Sequence, residues 1–137
     1  VDHDRLDNII RMYSTEKLHD IERAESIFLF FKSELERHII WEEDILFPVF
    51  EKKTGIKDGG PTSVMRMEHN QIKNHLQEIK RKLHTKKIQD PCKEEVVLFK
   101  VLESHNQKEE NILYPGIDNL TNEQEKEQMI KQMSLNK

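Results

Sequence analysis

Two stretches of the chain spell one phrase. His38–Pro48 reads HIIWEEDILFP and His105–Pro115 reads HNQKEENILYP. Both are H-x-x-x-E-E-x-I-L-aromatic-P, and their histidines stand 67 residues apart. A second echo runs with the first: Asp2-His3-Asp4 and Glu68-His69-Asn70 lie 66 residues apart. Each half of the chain therefore carries an acidic-His-polar triplet early in one helix and the longer phrase late in the next. Two such helix hairpins predict an all-α, antiparallel up-down four-helix bundle with an internal pseudo-two-fold repeat.

Hydrophobic spacing supports the helices. Leu6, Ile10 and Tyr13 form one stripe, and Phe28, Phe31, Leu35, Ile45 and Val49 a second. Met65, Ile72, Leu76, Ile79 and Leu83 form a third, and Leu98, Val101, Leu102 and Ile112 a fourth. Such three- and four-residue intervals keep one helix face dry. Pro48 is expected to close the second helix within a turn, and Pro115-Gly116 to end the fourth. Lys52–Pro61 reads as a loop, with Pro61 suited to the first position of the next helix. Asp90-Pro91 marks the fourth helix start, Asp90 as cap. Thr121–Met133 is expected to add a short fifth helix, and a turn is placed near His19–Glu22. No strand signal competes, and 137 residues fit a single domain, 1–137.

The histidines fall on the dry stripes. His3 precedes Leu6 and Ile10, His69 sits between Met65 and Ile72, and His38 with Glu42 bridges Leu35 and Ile45. His105 with Glu109 sits between Leu102 and Ile112. One such histidine alone reads as a core residue held by hydrogen bonds. Six positions in two matching halves read differently. Two carboxylates buried without counter-charge cost roughly several kcal/mol each, and no Lys or Arg lies on those stripes. A metal is the natural cation. Four imidazoles and two carboxylates are too many for one tetrahedral zinc. They suit two ions, each held by two histidines and sharing two carboxylates, with iron favoured and zinc or manganese as substitutes.

This constellation resembles the hemerythrin-like family, the histidine-histidine-glutamate cation-binding domains, across essentially the whole chain. The matching residues are His3, His38, Glu42, His69, His105 and Glu109. The phrases EEDILFP and GGPTSVMRMEH are most similar to the C-terminal domain of the repair-of-iron-centres proteins. The resemblance implies two non-haem iron ions, oxo- or hydroxo-bridged, that handle dioxygen, nitric oxide or peroxide. Oxygen-carrying members have a fifth histidine four residues after the one corresponding to His69, where this chain has Lys73. They also place an Asp five residues after the last histidine, the position of Glu110. The internal repeat favours Glu109 instead, because Glu42 follows His38 by four.

Other candidates carry less. His19, His75 and His84 read as turn or surface residues, although His19 or His75 would be the fifth histidine if one exists. Glu43 and Glu110 are either solvated or hydrogen-bonded to a ligand histidine on another helix. Trp41, Phe47, Tyr114, Met65 and Met67 read as packing. Cys92, the single cysteine, is too far along its helix from His105 to be a ligand. It cannot form an internal disulfide, which fits a reducing, cytoplasmic setting.

Three functions compete on this ground. The first is binding or sensing of a small diatomic. The second is redox enzymology or iron donation, as in iron-sulfur cluster repair or removal of peroxide or nitric oxide. The third is a structural or iron-sensing metal bundle. Hydrolase, kinase and nucleotide motifs are missing. A net charge of -4 and the lack of a basic stripe argue against nucleic acid. The longest apolar run, Ile27–Phe31, is too short for a membrane span, and no signal peptide opens the chain. Starting on Val1 rather than Met is expected of a trimmed piece. The oligomeric state is left open.

Overall fold

A computed structural model describes residues 2–17, 19–56, 59–85 and 93–135. In chain order these form α1 (Asp2–Lys17), α2 (Ile21–Trp41), a π turn (Glu42–Leu46), α3 (Phe47–Thr54), α4 (Pro61–His84), α5 (Lys93–Lys108), a second π turn (Glu109–Leu113), α6 (Tyr114–Leu120) and α7 (Glu123–Leu135). No strand occurs among the described residues. The all-α class is as the sequence predicts and is compatible with a helical bundle. The expected helix start at Asp90-Pro91, and Cys92, lie outside the described residues.

Local chemistry sets most boundaries. Asp2 and Asp4 occupy the first turn of α1 and Lys17 its last, each charge favourable to the helix dipole. α3 ends where Gly55 takes φ 72° and its N–H bonds Glu51 O. A left-handed residue there favours glycine. Pro61 opens α4 as expected. α7 starts two residues later than the sequence implied, because Asn122 caps it. Asn122 Oδ1 accepts from the Glu125 N–H at 2.8 Å, and Glu125 Oε1 accepts from the Asn122 N–H at 3.1 Å. This is a reciprocal capping box.

Two expected stops are not stops. The helix runs on through Pro48 to Thr54, and through Pro115-Gly116 to Leu120. The π turns explain both. The N–H of Phe47 bonds Glu42 O, five residues back, and that of Tyr114 bonds Glu109 O. Each proline then follows where the ladder has already been displaced, so its missing N–H breaks little. The Glu43 carbonyl is met from another helix, by Arg66 Nη2 at 3.4 Å. The inserted residue also moves the apolar register by one. Ile112, expected inside, is 55% exposed, while Leu113 is fully buried. Val49 is half-buried, and Phe50 takes the core position.

The chain divides into two compact units, Val1–Glu36 with Gln71–Leu102, and Arg37–Asn70 with Glu103–Lys137. In the first, Leu6, Tyr13, Phe28, Phe31, Leu76, Ile79 and Leu98 are buried. Each large apolar side chain contributes about 1.5–3 kcal/mol on burial. Tyr13 packs on Phe28 with ring centres 5.3 Å apart, and its hydroxyl donates to Glu95 Oε2 at 3.1 Å. Lys17 Nζ completes this buried polar cluster, 2.5 Å from Glu95 Oε1. In the second unit, Ile45, Phe47, Phe50, Met65, Leu113, Ile117 and Met129 form one core, bringing α3, α6 and α7 around the π turns. Gly116 makes the α3–α6 approach possible: a Cβ there would lie 3.2 Å from the Phe50 ring.

Candidate metal centre

The second unit gathers five of the six expected ligand residues. His38 lies near the end of α2 and Glu42 begins the first π turn. His69 lies on α4, His105 on α5, and Glu109 begins the second π turn. All five are buried; His69 and Glu109 are 0% exposed. One ligand-type atom from each of Glu42, His69, His105 and Glu109 lies within 4.8 Å of the others. Donors about 2.1 Å from a shared ion stand at most about 4.2 Å apart. This quartet therefore closes around cations with small adjustments. His3, the sixth residue, is buried on α1 and belongs to the first unit.

Hydrogen bonds fix how the rings present themselves. His69 Nδ1 lies 2.8 Å from Glu43 Oε2, and His105 Nδ1 lies 3.0 Å from Glu68 Oε1. A carboxylate only accepts, so each Nδ1 is assigned the proton. Both Nε2 atoms then carry lone pairs, and they face each other at 3.0 Å. Two facing lone pairs repel unless a proton or metal lies between them. Burial, then the neighbouring His69, hold His105 below the ordinary histidine range against the pull of Glu68 and Glu42. That opposes a proton on His105 Nε2, and a metal held by both nitrogens relieves the repulsion.

The carboxylates complete the donor set. Glu42 Oε1 is 3.2 Å from His69 Nε2 and 3.5 Å from His38 Nε2. Glu109 Oε2 is 3.4 Å from His105 Nε2. Burial, the largest single influence on Glu42, pushes its carboxyl up. The His69 ring beside it, and the positive charge that His38, His69 and His105 carry whenever they are protonated, outweigh it and hold the group below the usual carboxylate range. Glu42 Oε1 is buried and accepts no hydrogen bond. An ionised oxygen placed so, beside imidazole lone pairs, fits a metal ion.

The surroundings are ordered. Tyr114 donates its hydroxyl to Glu42 Oε2 at 3.0 Å and lies 3.4 Å from His38 Nε2. Phe47 stacks on the His69 ring, centres 5.6 Å apart and planes 8° from parallel. Lys108 Nζ holds Glu68 Oε2 at 2.6 Å. Burial works against ionised Glu68, but Lys108 and His105 reverse it and keep its carboxyl low.

The structure places the residues that the sequence left open. Glu109 is buried in the cluster, whereas Glu110 is exposed. Glu43 hydrogen-bonds His69 from another element, one of the two roles the sequence allows it. His19 and His84 are exposed and His75 half-buried. Sequence reasoning missed Glu68 as the partner of His105 and Tyr114 as a donor to Glu42. The only trace of Glu68 was its place in the acidic-His-polar triplet, which says nothing about which helix it reaches.

An all-α protein with a buried histidine–carboxylate cluster of this kind belongs among the helical cation-binding proteins. The chain is a member of the hemerythrin family: the hemerythrin HHE cation-binding domain matches residues 1–117. α7 lies beyond that match. No curated protein and no solved structure matches the chain. No described helix is long and apolar enough to cross a membrane.

Proposed function

We propose that the chain is a non-haem di-iron protein that binds or senses a small diatomic molecule, oxygen or nitric oxide. The observation that carries this reading is the pair of Nε2 atoms of His69 and His105, 3.0 Å apart, each ring committed on its far side to a carboxylate. His38, His69 and His105 offer imidazoles, with His3 added by the internal repeat. Glu42 and Glu109 are the carboxylates two ions would share. Iron held there would supply an open coordination position and the electrons a diatomic needs. The chain supplies the setting: Phe47 covers the His69 face, and Tyr114 fixes Glu42.

The test is the optical spectrum of anaerobically reduced, iron-loaded protein before and after oxygen or nitric oxide. A new charge-transfer band with either gas is expected; silence toward both overturns gas binding. If turnover of peroxide or nitric oxide, or iron transfer to an apo-cluster protein, appears instead, the protein is a redox enzyme or iron donor.

A further inference from the structure

α6, α7 and the end of the first π turn border an open pocket of about 270 Å³. Its walls are Leu46, Tyr114, Ile117, Met129, Ile130 and Met133. Three polar side chains at its edge are already engaged or bound back to their own helix. Lys126 Nζ pairs with Asp118 Oδ1 at 2.9 Å, and Thr121 Oγ1 donates to Ile117 O at 2.8 Å. The wall therefore favours an uncharged, apolar occupant. Enclosed apolar cavities of roughly 150 Å³ take up xenon or benzene, and this wall offers the same apolar contacts with one side open.

One wall residue also touches the metal centre. The Tyr114 ring lines the pocket, while its hydroxyl reaches Glu42 Oε2 at 3.0 Å and His38 Nε2 at 3.4 Å. A single side chain thus spans pocket and ligand residues. Its repeat counterpart, Phe47, is fully buried, stacks on His69 and is not in this wall. The far wall, Met129, Ile130 and Met133, comes from α7, outside the family match. The mouth is open at Ile130, which is 63% exposed.

We propose that this pocket is the port through which a small uncharged gas reaches the centre, passing Tyr114, which touches both. This rests on the gas-binding function proposed above. It adds a route and a residue that discriminates by polarity: ions and water gain nothing from these walls, whereas a diatomic loses no hydrogen bonds on entering.

Xenon serves as the apolar probe, and the five methionines as reporters. In metal-free protein with labelled methionine methyls, xenon pressure is expected to shift Met129 and Met133. The exposed Met67, 57% accessible, should stay still. Ile130→Trp fills the mouth from its exposed side and should abolish those shifts. In iron-loaded protein it should slow gas uptake and release by one common factor, at least about five-fold, with the equilibrium unchanged. Met12→Trp is the control and should behave as wild type. Absent xenon shifts at Met129 and Met133, or wild-type gas rates in Ile130→Trp, overturn the port alone. Wild-type loaded protein that takes up no gas overturns the gas-binding function and the port with it.

Discussion

His69 and His105 meet at their Nε2 atoms because each Nδ1 is tied elsewhere, to Glu43 and Glu68. These two glutamates set the tautomers, so they should matter nearly as much as ligands. Glu43→Gln and Glu68→Gln are each expected to weaken metal affinity about 10- to 100-fold, measured by competition with a chelator. Unchanged affinity in both would contradict the assigned tautomers. Glu109→Gln should abolish normal loading while Glu110→Gln retains it, since only Glu109 is buried in the cluster. At this scale the sequence was legible where it repeated itself. His38 with Glu42 and His105 with Glu109 announce each other. Glu68 was not legible, because its partner sits 37 residues away on another helix and no local spacing encodes that pairing.

The elements were readable in kind and misread where they change register. Pro48 and Pro115 look like helix stops by the rule that proline removes an N–H and clashes with the preceding turn. The π turns suspend that rule, and nothing in DILFP or NILYP declares an i→i+5 bond. The same insertion turned Ile112 outward and Leu113 inward. Regular spacing is a good guide only until one residue is added to the ladder. α7 depends on its capping box, so Asn122→Ala is expected to lower stability by about 1 kcal/mol. A thermal melt reads this, and an unchanged midpoint would mean the cap does not hold α7. Because α7 provides Met129 to the core of the second unit, the loss should be accompanied by greater mobility there.

For the molecule as a whole, acid should be the weakness of the metal-free state. His105 lies below its ordinary value of 6.5 in the folded chain, so the unfolded chain binds more protons beneath that pH. Its contribution is complete above 6.5 and fades as pH falls toward its folded value. Glu42 lies below 4.5 when folded, so its contribution is present above 4.5 and is lost as pH falls through that depressed value. Both act in one direction. The urea midpoint of metal-free protein should therefore decline first below about 6.5 and further below about 4.5; a flat or rising profile would contradict a His105 held neutral by burial and a Glu42 held ionised by its histidine neighbours. Metal binding only to the folded chain should offset this, by about 2.7 kcal/mol at a hundred-fold excess over Kd. A chelator should accordingly lower the melting temperature.

Every property proposed for the centre depends on its metal content. Elemental analysis of chain loaded with iron under anaerobic conditions and then desalted is the most direct measurement. It should find about two irons per chain in the wild type and a clear loss in His69→Ala, His105→Ala protein that retains its helical circular dichroism. An iron-free wild type, or equal iron in the double variant, would contradict it.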